Sequence, residues 1–359
     1  MNQKSDIRSL SLPELEEFFL KHNEKKFRAK QVYEWLWHSR AVSFEAMSNL
    51  SKEMREILNA HFVINAVTVH KQQISSDRTI KNAFRLHDGH LIEGVLIPTE
   101  SRMTACVSSQ VGCSLTCAFC ATGKLDRIRN LTADEIYDQV VLIKQQCEQQ
   151  YNMPLTNIVY MGMGEPLLNY ANVLQSIEYI TMQNGLNMAP RRITVSTAGI
   201  AKMIKKLADD KVKVNLALSL HAANDEKRNK IMPINEHNNL KALEDALKYY
   251  CNHTKAAVTF EYIVFKNFND GVEDARELAR FCKQIPSKVN LIEYNPIDGV
   301  AFVNTSEDRL QKFKDILWSK NIQVNVRKSR GKDIDAACGQ LANKSGQQDA
   351  NAVAAVTEK

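Results

Sequence analysis

The 359-residue sequence holds no apolar run long enough to span a membrane, and its opening stretch, MNQKSDIRSLSLPELEEF, lacks the apolar core and small-residue cleavage site of a secretory signal. These two absences predict a cytoplasmic protein that meets no membrane. In that reducing compartment disulfide scaffolding is not expected. No Gly-rich dinucleotide fingerprint follows any strand-like stretch, which argues against an open dinucleotide-binding fold. A second close pair of cysteines is also missing. Three of the eight cysteines, Cys113, Cys117 and Cys120, crowd into CSLTCAFCATG, but the other knuckle of a structural zinc site is nowhere in the chain.

The composition is otherwise that of a globular chain, 44% hydrophobic and 25% charged. Its length predicts one large unit and one small one. A net charge of +6 mildly favours a polyanionic partner. Ser11 and Glu14 form a capping box that opens a helix with Leu12, Leu15, Phe18 and Phe19 on one face. A second helix in RAKQVYEWLWHSR is surrounded by Lys25, Lys26, Arg28, Lys30 and Arg40. Such a basic, aromatic surface suits RNA, and equally an ordinary solvated helix face. After a third helix near SKEMREILNAHF, the alternation in AFRLHDGHLIEGVLIP predicts a hairpin turning at Asp88 and Gly89. The expected division is a helical accessory RNA-binding domain at 1–85, a connecting β-hairpin at 86–98, a core with its C-terminal cysteine segment at 99–341, and a disordered tail at 342–359.

From Met103 onward strands and helices alternate. Strands are expected in MTACVSS, NIVYMG, RITVST, KVNLALSLH, AVTFEYIVF and VNLIEYNP, with a shorter one in IQVNVR. Helices are expected near 132–149, 170–183, 200–209, 239–252, 273–284 and 306–319. Repeated β-α units imply a parallel sheet with right-handed crossovers. The fold class is therefore α/β, a partial (β/α)6 barrel carrying a small helical N-terminal domain.

Cys113, Cys117 and Cys120 follow the first barrel strand, on the face where barrel enzymes keep their catalytic groups. Three thiolates leave one corner of a four-iron cluster uncoordinated. A zinc site completed by a distant residue, or three buried thiols, are the other readings. Polar or Gly-rich elements follow other strands: Gly164 and Glu165 in GMGEP, Ser196 in VSTAG, then Ser219, Leu220 and His221, and Asn295 in YNP. Cys106 lies on the first strand, and Cys338 in RGKDIDAACGQL near Arg327, Lys328, Arg330 and Lys332, a setting that favours a thiolate.

The Cys-x3-Cys-x2-Cys spacing, with Phe119 before the last cysteine, resembles the signature of the radical S-adenosylmethionine superfamily. That resemblance implies a [4Fe-4S] cluster on Cys113, Cys117 and Cys120, with S-adenosyl-L-methionine as ligand of the fourth iron and source of a 5'-deoxyadenosyl radical. It also implies cofactor contacts at Gly164, Glu165, Ser196, Ser219, Leu220, His221 and Asn295. SSQVGCSLTCAFCATG, MGMGEPLLN, APRRITVSTAG, NLALSLHAAN, IMPIN, EYNPI and GKDIDAACGQL together resemble the RlmN family of adenine C2 methyltransferases. The resemblance runs from about Glu93 to Leu341.

It implies methylation of carbon 2 of an adenosine in the peptidyl-transferase region of 23S rRNA and, in many bacteria, of the adenosine 3' of the tRNA anticodon. Cys338 would carry the methyl group as S-methylcysteine, after displacement on one of the two S-adenosyl-L-methionine molecules used per turnover. A radical formed on that methyl adds to the base. Glu93 would then accept the C2 proton, a role Cys106 could share, and Cys106 would resolve the adduct through a transient disulfide with Cys338. Partners implied are 23S rRNA before full ribosome assembly, tRNA, and a one-electron donor such as a flavodoxin, with the enzyme acting as a monomer. The sister Cfr family, which methylates carbon 8 of the same ribosomal adenosine, usually has Ala where this chain has Pro166. A C8 methyltransferase, a radical enzyme acting on protein or a small molecule, and a non-catalytic metal-containing RNA-binding protein are the competing readings.

Overall fold

The structure, a computed structural model, describes residues 4–343. The expected tail thus falls mostly on residues 344–359, outside the described ones; Ala342 and Asn343 are described, and they pack against the sheet.

Three helices open the chain. α1 (Leu12–Lys21) starts at the reciprocal Ser11–Glu14 capping box, and Ser51 caps α3 (Lys52–His61). Between them α2 (Phe27–Trp37) buries Ala29, Val32, Leu36 and Trp37. Ser5–Asp6 pairs in parallel with Phe62–Val63, tying the two ends of this unit together. It docks on the helices of the core. Trp37 stacks on Tyr179, ring centroids 3.6 Å apart, and meets Tyr137 edge-on. Arg8, almost wholly buried, reaches Asp138 at 3.0 Å, Asp134 at 2.9 Å and Asp6 at 3.2 Å.

The core is one ten-stranded sheet, in which every strand pairs with the next in chain order. The strands are β1 (Thr68–Ile74), β2 (Ile80–Arg85), β3 (Leu91–Pro98), β4 (Met103–Cys106), β5 (Asn157–Tyr160), β6 (Ile193–Thr197), β7 (Asn215–Ser219), β8 (Val258–Ile263), β9 (Ser287–Ile292) and β10 (Val324–Arg327). β1 to β4 run antiparallel to one another, and β4 to β10 are all parallel. Between the parallel strands lie α4 (Ala133–Tyr151), α5 (Tyr170–Thr181), α6 (Ala201–Asp209), the pair α7 (Asp225–Ile231) and α8 (Leu240–Thr254), α9 (Val272–Lys283) and α10 (Glu307–Trp318). These make the six expected β/α crossovers. Strands covered on both faces can be apolar throughout, and every residue of β8 is buried.

Two elements differ from expectation. Thr68–Arg85, grouped with the helices on sequence, instead supplies two strands of the main sheet, because each antiparallel pairing satisfies a backbone edge that β3 would otherwise leave open. The hairpin at 80–98 is therefore part of the sheet rather than a connector between units. α7, only seven residues long, was not foreseen.

Candidate active site

The loop after β4 is drawn closed by Gln110–Val111 pairing with Arg129–Asn130. Inside it the backbone coils tightly: Cys120 N–H donates to the Cys117 carbonyl at 3.2 Å, and Gly123 N–H to that of Cys120 at 3.1 Å. Gly164 holds this loop from below. Its φ of +96° and the 2.5 Å separation between a built Cβ and Gln110 Cβ leave room for glycine alone. The close approach that the GMGEP glycines permit is thus to the cysteine loop itself.

Cys113, Cys117 and Cys120 line a cavity of about 920 Å³, mouth included, at the C-terminal ends of the parallel strands. Gly164, Glu165, Ser196, Ser219 and His221 line the same cavity. Two further predicted contacts do not. Leu220, just past the end of β7, is fully buried in the core, while Ser219 and His221 on either side of it line the cavity. Asn295 is buried and donates its side-chain amide to the Cys338 carbonyl at 3.1 Å, so it supports the cysteine segment rather than lining the cavity.

Burial sets the electrostatics. It lifts the Cys113 thiol to about 11, and lifts Cys117 and Cys120 as well, with neighbouring thiols adding to the rise. Burial pushes Glu165 up to about 7, although N–H groups of Ala198 and Leu167 donate to it at 2.7 and 3.0 Å. His221 is buried and held neutral, its value pulled down to about 3, and its Nδ1 accepts from Ile263 N–H at 3.1 Å.

A second cavity of about 770 Å³ shares Cys120, Met161, Gly162, Arg327, Cys338 and Gly339 with the first, and adds Cys106. The two lone cysteines therefore face one space. Cys338 is exposed and Cys106 buried. Burial first, and then the Cys338 sulfur, push Cys106 to about 12, so it keeps its proton at neutral pH. Arg327, paired with Glu261 at 3.0 Å, lies beside both thiols, and Lys328 and Arg330 line the same cavity. The Cys338 segment is fastened to the cluster loop: Ala121 N–H donates to the Gly339 carbonyl at 2.7 Å, and Thr122 Oγ1 to that of Leu341 at 2.7 Å.

Glu93, on β3, is 1% exposed. One carboxylate oxygen accepts from the Ala342 and Asn343 N–H groups at 2.8 and 3.2 Å. It lines neither cavity, because that returning segment covers it. Among the candidate RNA contacts, Lys25, Lys26 and Lys30 are exposed. Arg40 is not available, being bound to Asp138 at 3.0 Å and to the Val67 carbonyl at 2.7 Å. Sequence reasoning passed over Lys81, Arg228 and Glu261, whose strand or helix contexts look like ordinary surface; only their burial marks them.

Residues 5–64 match the ribosomal RNA large subunit methyltransferase N-terminal domain, and residues 107–282 match the radical SAM superfamily. A Cytophaga hutchinsonii protein named as a probable dual-specificity RNA methyltransferase RlmN is 63% identical over 342 residues, which is 95% of this chain and 94% of that protein. The chain belongs to the RlmN family. A Geobacter sulfurreducens dual-specificity RNA methyltransferase RlmN is 43% identical over 96% of this chain and 94% of its own length. The crystal structure of a radical SAM methyltransferase from Sphaerobacter thermophilus, 40% identical, superposes with a TM-score of 0.88 over 94% of this chain and 99% of its own. This RlmN-family chain is thus a radical SAM RNA methyltransferase that uses a [4Fe-4S] cluster and S-adenosyl-L-methionine.

The residues present fit those groups. Among the described residues no three His, Cys, Asp or Glu side chains converge closely enough to share a single metal ion. The three thiols, carried on one short loop, all line the same recess, as ligands of a single cluster must. Beside them Glu165, Ser196 and Ser219 offer acceptors and donors to a polar cofactor. No helix among the described residues is long and apolar enough to cross a membrane.

Proposed function

We propose that this enzyme methylates carbon 2 of an adenosine in 23S rRNA and of the adenosine 3' of the tRNA anticodon, with Cys338 as the methyl carrier. The observation that carries the reading is the shared cavity: Cys338 lines the recess of the cluster cysteines and also the space that holds Cys106. C2 rather than C8 is favoured by Pro166 and by the names of the relatives.

Cys113, Cys117 and Cys120 would hold the cluster, and Glu165 would accept from the amine of S-adenosyl-L-methionine. When bound, cluster and cofactor supply a methyl group to a thiolate and a radical that takes hydrogen from it. Arg327 lies beside the Cys338 sulfur that accepts the methyl group. Glu93 accepts the C2 proton once Ala342 and Asn343 release its carboxylate. Cys106 would give up its proton and attack the Cys338 sulfur; the new S–S bond would form as the sulfur–carbon bond breaks, the adduct's unpaired electron would return to the oxidised cluster, and the freed methylene carbon would take up a proton to become the methyl group of the departing base. An external dithiol then reduces the disulfide.

The exposed Lys328 and Arg330 beside the second cavity, together with Lys25, Lys26 and Lys30, suit phosphate contacts to an RNA whose target base is flipped out. A one-electron donor such as a flavodoxin, a monomeric state and a cytoplasmic location complete the proposal. Mass spectrometry of nucleosides from enzyme-treated 23S rRNA and tRNA tests it. 2-Methyladenosine in both is the expected result, and 8-methyladenosine would refute it.

A further inference from the structure

Arg228, on α7, is 0% exposed, which makes it one of the largest fully buried side chains in the protein. A guanidinium taken out of water normally sits against a carboxylate. Among the described residues no carboxylate lies within ion-pair distance of this one; every bond it makes goes to a neutral acceptor. Nε donates to the Leu220 carbonyl at 3.0 Å, Nη1 to Asn235 Oδ1 at 2.7 Å, and Nη2 to the carbonyls of Ala198 and Ser219 at 2.6 and 3.1 Å. Asp225 is the nearest acid in this network. It is one side chain further out, accepting from Asn235 at 2.8 Å.

The guanidinium is thereby fixed behind the wall of the first cavity, at the ends of β6 and β7. One turn further along, the Ile231 carbonyl accepts from the N–H of Ala118, the residue after Cys117, so the helix carrying Arg228 is fastened to the cluster loop. Burial pulls Arg228 down to about 10, and the Cys117 charge is the largest influence opposing that fall. At neutral pH it remains a cation, and the charges that favour it are the cysteine site first and Asp225, one side chain away, second.

We infer that Arg228 is the counter-charge of the iron-sulfur site, a positioning residue whose fixed positive charge offsets the anionic thiolates and favours the extra electron of the reduced cluster. The step it assists is a one-electron reduction: the cluster gains an electron and the external one-electron donor is oxidised. Net charge near a cluster is among the determinants of its potential. The backbone bonds fix where the charge sits, and Asn235, being neutral, leaves it unquenched. The inference rests on Cys113, Cys117 and Cys120 as the cluster ligands, and it is independent of where the enzyme methylates RNA.

The test is the midpoint potential of the reconstituted cluster, measured by anaerobic titration with dithionite and followed by electron paramagnetic resonance, without RNA or S-adenosyl-L-methionine. Arg228→Gln should move the potential to a more negative value, while Arg228→Lys, which keeps the charge and loses most of the bond geometry, should stay close to the parent. An Arg228→Gln protein with the parent's iron content and the parent's potential would overturn the inference. Should Arg228→Gln fail to hold a cluster, the exchange D225N/N235D keeps the guanidinium and the overall charge but sets a carboxylate against it. Its potential should also become more negative, and an unchanged value would equally overturn the inference. Iron and sulfide counts on the parent protein check the ligand assignment separately: a parent without a cluster refutes that assignment and this inference with it.

Discussion

Lys81 Nζ lies 3.6 Å from Glu93 Oε1, and both side chains are almost entirely shielded from water. The two lie diagonally across adjacent strands, β2 and β3, where Lys81 pairs with Val95 and Ala83 with Glu93. No hydrogen bond reaches that carboxylate oxygen, so the lysine charge is what balances it. Removing one member of a buried pair costs roughly 3–5 kcal/mol, since the other is left uncompensated. Lys81→Met should therefore lower the urea unfolding free energy by about that amount, and adding Glu93→Gln should restore most of it. A double variant no more stable than the single one would show that the pair is not coupled.

The placement of Cys338 and Cys106 on one cavity gives opposite outcomes for two similar changes. Cys338→Ala should yield no methylated RNA and no S-methylcysteine in the digested protein. Cys106→Ala should accumulate a covalent protein–RNA species, visible as a nuclease-sensitive band of lower mobility on a denaturing gel. Free methylated RNA at the parent rate from the Cys106 variant would exclude it as the resolving thiol.

Glu165 makes stability depend on pH in the protein before it binds its cofactors. Burial raises it from 4.5 to about 7 in the folded chain. Below about 4.5 the folded and unfolded chains both hold the proton, between that value and about 7 only the folded chain does, and above about 7 neither does. Its contribution is therefore full in acid and is lost as pH rises through about 7. Glu165→Gln removes the titration. Relative to the parent, the stability of this variant should rise by about 3 kcal/mol between roughly pH 4 and pH 8. Parallel urea midpoints at the two ends would contradict the assignment.

Arg8 joins the helical unit to the core through Asp134 and Asp138 on α4, and Arg40 shares Asp138 at 3.0 Å. Asp138 also accepts from the Val67 N–H at 2.9 Å, just before β1 begins. Arg8→Ala should destabilise the protein by roughly 3–5 kcal/mol, because three aspartates lose a buried cation. Limited proteolysis should then cut first between residues 5 and 67. An unaltered digestion pattern would mean that the docking does not depend on this network.

The alternation of strand and helix was legible from Met103 onward because each β-α unit carries a strong local period, and the cluster loop because three thiols so close in sequence have few other uses. β1, TVHKQQI, gave no such signal. It is an edge strand with no buried residue, and its pairing partner rather than its composition makes it a strand. Glu93 and Arg228 were hidden for a related reason: burial of a charge is decided by segments far away in sequence, here Ala342–Asn343 and the ends of β6 and β7. The resemblance sets Leu220 and Asn295 beside the cofactor; that Leu220 is buried just past β7 and that the Asn295 amide turns to the Cys338 carbonyl depend on distant packing and on the fold of the C-terminal segment, which no local pattern displays.

Because every strand of the sheet pairs with the one made just before it, the core can assemble in the order in which it leaves the ribosome. Cys113, Cys117 and Cys120 are in place early, whereas Cys338 and the segment that covers Glu93 come after the last strand, Val324–Arg327. Synthesis therefore supplies the parts in a safe sequence: a nascent chain has the three clustered thiols well before it has Cys338, the proposed methyl carrier, and the proposed chemistry becomes possible only once the segment after the last strand has been made.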